Sequence, residues 1–354
     1  MKKLFLFGLL SMMILFLAAC GSDKEDNASG EKKLSDKLYV FNWSEYIPQE
    51  VLDDFEKEFG VDVVYSTYNS NHEMLTKVQS GTVAYDLVFP SDYYVKQMVD
   101  NDLLLEIDFD NIPNYKNIGD AWHDMPFDPD NKYSVPFMYG YDGIAYNKEF
   151  IKEPPTSWAD LWNPEYKGKV ALLEESKEVS NMLQQLLGND MNDPTKEQLE
   201  EGFNKLKEVV PNVLAFDATP SDRLVSGEVW IAHAYSGSAS TAWLENENID
   251  FVLPKEGGIV WLDAMAIPKT AKNKYTAEVF INYLLRPEVS KKLSEFIPYG
   301  NPNDEALKIL PDEIKNSPGM QFPDEVIKNA KWNLPLDTER TQYMNRLFQE
   351  AKVE

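Results

Sequence analysis

Cysteine is nearly missing from this chain: of 354 residues only Cys20 carries a thiol. That excludes a disulfide framework, and once Cys20 is set aside no cysteine nucleophile or thiolate metal site is available. Histidine is scarce as well. His72, His123 and His233 stand far apart without His-Glu-x-x-His or any other metal-ligand spacing, so neither a metal nor another cofactor is expected. The nucleotide patterns Gly-x-x-x-x-Gly-Lys-Ser/Thr and Gly-x-Gly-x-x-Gly are absent. So is the Gly-x-Ser-x-Gly nucleophile elbow, since Ser236-Gly237-Ser238-Ala239 has one glycine and reads as a loop entering a helix. Positive charge is in deficit, with 34 Lys and Arg against 59 Asp and Glu and a formal charge of −25. Such a chain repels nucleic acid and anionic lipid, while its field gathers small cations toward any acidic cleft.

What is present begins with Lys2-Lys3, an apolar run over 4–17, and Leu17-Ala18-Ala19-Cys20-Gly21. A charged start, an apolar stretch and small residues closing on a cysteine define a lipoprotein signal peptide, residues 1–19, with Cys20 as the lipidated first residue of the mature chain. A membrane span is the alternative, but the run contains Gly8 and Ser11, is short for a bilayer, and has no stop-transfer cluster behind it. Removing Lys2 and Lys3 leaves 32 basic residues against 59 acidic ones and a formal charge of −27. The segment 20–37 holds too few apolar residues to fold and reads as a tether. The expected place of the protein is outside the cytoplasm, lipid-anchored to the cell membrane.

At 354 residues and 43% hydrophobic content the chain can fill two cores. From Leu38 short apolar runs alternate with amphipathic stretches: strands at 38–41, 61–65 and 85–89, helices at 49–59 and 72–79. This alternation implies a parallel sheet with helices on both faces. The extended, glycine-punctuated segment 133–146 is a candidate crossover into a second α/β region. There, strands are expected at 170–173 and 229–232 and helices near 178–187, 196–209 and 237–246, followed by a return strand at 260–268, helices at 274–285 and 287–296, a turn at 299–303 and a helical tail at 339–352.

Aromatic residues gather where strands end: Trp43 and Tyr46 after the first strand, Tyr93 and Tyr94 after the third. Strand ends at the carboxyl side face the ligand crevice of open α/β sheets. Each ring alone reads as an ordinary half-buried aromatic; together they suggest a lined pocket. Trp261 and Asp263, two apart on a strand, project from one face and put an indole beside a carboxylate, an arrangement suited to an ammonium group. A core tryptophan beside a surface aspartate accounts for the pattern equally well. Glu174, Glu175 and Glu178 follow a strand, and acids in a first helical turn are favoured by the helix dipole without any ligand. Paired carboxylates also leave a glycosidase open.

The order of several segments carries a resemblance. Asn42-Trp43-Ser44-Glu45-Tyr46, Tyr65-Ser66-Thr67-Tyr68, Tyr85-Asp86-Leu87-Val88, Pro90-Ser91-Asp92-Tyr93-Tyr94-Val95, Pro126-Phe127-Asp128-Pro129, Thr156-Ser157-Trp158-Ala159-Asp160-Leu161-Trp162, Pro164-Glu165-Tyr166-Lys167-Gly168 and Pro254-Lys255-Glu256-Gly257-Gly258-Ile259 run in register with the bacterial spermidine/putrescine-binding proteins. The resemblance spans about Leu38 to Ala351 and implies a two-lobed periplasmic-binding-protein fold with discontinuous lobes and a hinge. The expected lobes are 38–137 with 264–300, and 138–263 with 301–354. It further implies a non-enzymatic monomer that binds a polyamine and delivers it to the permease subunits of an ABC importer. Trp43, Ser44, Tyr46, Ser91, Tyr93, Tyr235, Trp261 and Tyr299 would line the groove, Glu175, Glu178 and Asp263 would hold the ammonium groups, and Asn333 would add a polar contact. Ser44, Glu175, Tyr235 and Asn333 stand where the resembled proteins usually carry threonine, aspartate, tryptophan and glutamine, which leaves the choice between spermidine and putrescine open. A receptor of the same fold for ferric iron or a sugar, and a structural or adhesive surface protein, are the competing readings.

Overall fold

The structure is a computed structural model and describes residues 32–44, 46–320 and 331–353. The signal peptide, Cys20 and most of the expected tether lie outside the described residues. No helix among the described residues is long and apolar enough to cross a membrane.

In the first half of the chain β1 (Lys37–Trp43), β2 (Asp62–Tyr68) and β3 (Leu87–Val88) alternate with α1 (Gln49–Phe59), α2 (Asn71–Ser80) and α3 (Asp92–Asp100). Local signals set these bounds. In α1 the buried Val51, Leu52 and Phe55 fall on one stripe, and Gly60 at φ 69 ends the helix in the left-handed conformation that glycine adopts without strain. Ser70 caps α2 by accepting from Glu73 N. The long β4 (Ser134–Asn147) then leads to β5 (Val170–Leu172), α4 (Ser176–Leu186), α5 (Lys196–Val209), β6 (Val213–Phe216), α6 (Ser221–Val225), β7 (Ile231–Tyr235), α7 (Ser236–Glu245) and β8 (Ile249–Val252). The return strand β9 (Ile259–Ala266) precedes α8 (Lys274–Leu284), α9 (Pro287–Phe296), α10 (Asp304–Ile309), α11 (Asp312–Lys315), β10 (Lys331–Trp332) and α12 (Thr338–Lys352). At the start of α5, Thr195 and Gln198 form a capping box with both reciprocal hydrogen bonds.

The strands join in the order β2-β1-β3-β9-β4-β7-β5-β6, with β10 on β9 and β8 on β4. Along this path the sheet is parallel toward its two ends, where β1 pairs with β2 and β3, and β5 with β6 and β7, and the short β10 joins β9 in parallel off the path. Its centre is antiparallel, through β3–β9, β9–β4 and β4–β7. The purely parallel sheet expected from strand–helix alternation is therefore corrected to a mixed one, because β4 and β9 cross the middle in opposite directions.

Helices cover both faces of each half, as the alternation implied. Around β1 and β9 one apolar cluster takes Val51 and Phe55 of α1 with Phe280 and Ile281 of α8, and the opposite face takes Met74 and Val78 of α2 with Val95 and Met98 of α3. Around β5 and the far half of β4, Met182 of α4, Phe203 of α5 and Phe348 of α12 form one face, and Leu224 and Ala239 of α6 and α7 the other. Asp86, wholly buried, accepts hydrogen bonds from Tyr39 N, Lys272 N, Asn273 N and Asn273 Nδ2 and so ties β1 to the start of α8. Tyr235 packs against cores of both halves, which puts it at their junction.

Candidate functional site

The register of the central strands decides which side chains meet. Gly140 pairs with Trp261, Met138 with Asp263 and Asp142 with Tyr235, so Asp142, Tyr235, Trp261 and Asp263 share one face of the sheet. Gly140 is required there: a Cβ on it would lie 2.4 Å from Trp261 Cζ2, so only glycine lets the indole lie across the strand.

Asp263 is 2% exposed and its two oxygens are both bound. Tyr46 Oη donates to Oδ2 at 2.7 Å and Ser91 Oγ to Oδ1 at 2.6 Å. Ser91 precedes α3 but makes no side-chain cap, which leaves its hydroxyl for Asp263. Asn71 fixes Ser91 by donating from Nδ2 to its hydroxyl at 3.0 Å and accepting from its backbone N–H at 3.1 Å. Burial pushes the Asp263 carboxyl up to about 6, and the Ser91 and Tyr46 hydrogen bonds restrain the rise.

Aromatic rings surround this carboxylate. Trp261 stands edge-on to Tyr299 at 5.0 Å and to Tyr235 at 5.8 Å, while Tyr46 lies 6.2 Å from Tyr299 and 6.4 Å from Trp43. Trp43 Nε1 and Tyr68 Oη both donate to the carbonyl of Phe89, which holds the Trp43 ring in place. Tyr93 is half-buried against Tyr94 at 4.9 Å, and the charges of Glu175 and Glu178 reach its hydroxyl.

A second carboxylate group comes from α4. Glu178 is 4% exposed and accepts from Asn333 Nδ2 at 2.8 Å and Asn181 Nδ2 at 3.4 Å. Asn181 also donates to Asn333 Oδ1 at 3.1 Å, and its own Oδ1 accepts from Lys177 Nζ at 2.8 Å. Because an ammonium can only donate, it fixes which way the Asn181 amide faces, and through it the amide of Asn333. Burial raises Glu178 well above the carboxylate range, reinforced by the neighbouring Asp142, and lowers Lys177 to about 8. Glu175 is exposed one turn away; crowding by protein raises its carboxyl, and it stands at the rim.

The structure thus draws Tyr46, Ser91, Trp261, Asp263, Tyr235 and Tyr299 into one cluster, and Glu178 with Asn333 beside it. Ser44 lies outside this cluster, exposed and donating to Asn69 Oδ1 at 3.2 Å. Sequence reasoning missed Asp142 and Asp92, both wholly buried, and the supporting Asn71, Lys177 and Asn181. Only the pairing of 134–142 with 259–266, a tertiary fact, gives Asp142 away. Among the described residues no group of three or more His, Cys, Asp or Glu side chains is arranged to hold a metal ion. The arrangement offers buried carboxylates separated by aromatic walls, which suits an organic cation.

A sheet crossed by two long antiparallel strands, with helices on both faces of each half and acidic groups at the junction, defines a two-lobed solute-binding protein. The family model described as "Bacterial extracellular solute-binding protein" matches residues 50–321, and the chain belongs to that family. It is 42% identical over 299 residues to the spermidine/putrescine-binding periplasmic protein of Escherichia coli, covering 83% of this chain and 86% of that one. It is 36% identical to spermidine/putrescine-binding periplasmic protein 1 of Haemophilus influenzae, with 97% of each chain covered. Among solved structures, the spermidine/putrescine ABC transporter substrate-binding protein PotD of Streptococcus pneumoniae superposes with a TM-score of 0.78 at 37% identity, over 90% of this chain and 99% of that one. All three are named as binding proteins, the last as the substrate-binding protein of an ABC transporter.

Proposed function

We propose that this chain is the extracytoplasmic receptor of a polyamine ABC importer, binding spermidine, putrescine or both and presenting them to permease subunits. The observation that carries the reading is Asp263, buried among Tyr46, Trp261 and Tyr299 with its charge intact near neutral pH. A flexible chain of ammonium groups separated by methylenes needs a carboxylate at each charge and apolar wall between them, because desolvating several charges is costly unless each meets a partner. In this reading Asp263 and Glu178 take buried ammonium groups and Glu175 receives one at the rim. Trp43, Tyr46, Tyr93, Tyr235, Trp261 and Tyr299 wall the methylenes, Ser91 and Asn333 orient the carboxylates, and Ser44 stands at the outer edge. Cys20 carries the lipid that keeps the receptor at the membrane.

The lobes exchange along β4 and β9, with Val135 in the first core and Ile144 in the second. We place the first lobe at 38–137 with 264–316 and the second at 138–263 with 317–354, which moves 301–316 from the second lobe, where they were expected, to the first. Residues 301–316 group with the first lobe, since Asn303 Nδ2 donates to Leu285 O and Ile118 bridges Asn303. Thermal melting with spermidine, putrescine, maltose and ferric citrate tests the function. A polyamine at a hundred times its dissociation constant stabilises the fold by about 2.7 kcal/mol. A shift with sugar or iron and none with polyamine would refute the substrate class.

A further inference from the structure

Asp142 is wholly buried, and neither of its oxygens closes a hydrogen bond. Its surroundings offer it no counter-charge. From β7 come Tyr235 and His233, whose Nε2 lies 3.6 Å from Asp142 Oδ2. His233 is wholly buried without a hydrogen bond, and burial holds it neutral down to about 3, so it supplies no charge at neutral pH. From β9 come the Trp261 indole, near Asp142 but not in hydrogen-bond geometry, and Asp263 further along. From the segment after α9 comes Tyr299. From α4 comes Glu178, with Glu175 and Lys177 beyond it; the Lys177 ammonium is directed to Asn181 Oδ1 and Met191 O. Asp92 of α3 adds one more buried carboxyl on the Glu178 side, itself pushed well up by burial. Asn333 donates from its N–H to the Val260 carbonyl at 3.3 Å and from Nδ2 to Glu178 at 2.8 Å, while Asp142 pairs with Ile259, so Glu178 and Asp142 meet beside the same stretch of β9, and two adjacent buried carboxyls cannot both be ionised.

We propose that Asp142 is a further residue of the binding site, and that it shares with Glu178 one proton which a ligand ammonium displaces. The exchange balances. The carboxylic O–H bond breaks, the proton leaves to buffer, and the ammonium takes its place between two carboxylates, so the pocket's net charge is unchanged while a bulky cation replaces a proton. Burial that pushes Asp142 up to about 7 and Glu178 further puts the exchange in the physiological range. Binding would then weaken on acidification, because protons compete for the same place.

This inference rests on the polyamine reading, and one experiment separates the two. Titration calorimetry with putrescine at pH 7, where both of its amines stay charged, is run in two buffers of different ionisation enthalpy, which counts the protons released. The protein should release roughly 0.5–1 proton per putrescine. Asp142→Asn should release less than about 0.2 and still bind within about tenfold, since the carboxamide gives Glu178 the N–H that the shared proton gave. The small remainder comes from Asp263. Glu178→Gln should lose the release as well, and carbon-detected NMR of the unliganded protein should show a carboxyl titrating near 7 that Asp142→Asn removes. No release from the unaltered protein, or equal release from Asp142→Asn, would overturn the shared proton. No binding heat with putrescine or spermidine at any pH would overturn the polyamine reading itself and the exchange with it.

Discussion

Exchanging one oxygen for nitrogen at Asp263 should separate stability from binding. Asn at this position keeps the shape, and the Tyr46 and Ser91 hydroxyls that now donate to the carboxylate can each turn to accept an amide N–H. What is lost is charge. A ligand ammonium enclosed beside a neutral amide is a buried pair broken from one side, a loss of about 3–5 kcal/mol, or two to four orders of magnitude in Kd. The unliganded protein should gain. Burial raises Asp263 from the usual 3.8 to about 6, so at pH 7 the fold carries about 3 kcal/mol of penalty for ionising it, which the asparagine does not. Glu175→Gln is the control. Its carboxylate is exposed, and an exposed pair contributes about 0–1 kcal/mol, at most about fivefold in Kd. Titration calorimetry with spermidine at pH 7 and one salt concentration, with melting curves on the same samples, should show Asp263→Asn binding at least about tenfold worse than Glu175→Gln while melting no lower than the unaltered protein. Equal binding losses would mean that Asp263 is not the enclosed charge, and a lowered melting point would mean that its ionised form supports the fold.

Cys20→Ala should abolish lipid modification and release the protein from the cell membrane; labelling with a fatty-acid analogue and fractionation check it, and a retained, processed variant would refute the anchor. The unliganded protein should melt higher by roughly 2 °C or more as pH falls from 8 to 6.5. Over that window the folded state takes up protons at Asp142 and Glu178, raised well above their unfolded values, while the unfolded chain takes up none there. Lys177, depressed to about 8, and the buried neutral His233 each oppose part of the gain, because the unfolded chain holds a proton on Lys177 that the folded state partly lacks near pH 8 and takes one up on His233 as pH nears 6.5. A flat or falling melting temperature by scanning calorimetry would contradict the raised carboxyls. Gly140→Ala should weaken spermidine binding at least tenfold and destabilise the fold by about 1–3 kcal/mol, since its Cβ displaces the Trp261 ring; near-ultraviolet circular dichroism would report the ring, and an unchanged spectrum with unchanged binding would refute the packing.

Much of this was legible because the signals are local. Apolar spacing and end caps give α1 and α5 their bounds, and the alternation of Trp261 and Asp263 puts them on one face before any fold is known. Strand direction has no such local mark. The antiparallel centre escapes periodicity because a run such as 259–266 carries the same pattern whichever way its neighbour points. The missing part of the site fails for the same reason. Asp142 sits between Tyr141 and Gly143 like any polar residue in an extended segment, and only its pairing with Tyr235 turns it to the cleft. Lys177 reads as a solvated first-turn lysine until the loop carrying Met191 folds over it. Short strands such as β6 and β8 were missed because a few residues carry too little pattern.

The pairing of β4 with β9 from Ser134–Ala266 to Asp142–Ile259 has a mechanical side. A ribbon of two hydrogen-bonded strands resists slippage, because moving one strand along the other breaks every rung at once and a one-residue step turns each side chain to the wrong face. It yields readily to bending and twisting. Lobes joined by such a ribbon swing and do not slide. Gly140, Asp142, Trp261 and Asp263 are rungs of this ribbon, so in the receptor proposed above the floor of the cleft would flex with any swing of the lobes. A molecule lying on that floor bears directly on the angle between the lobes.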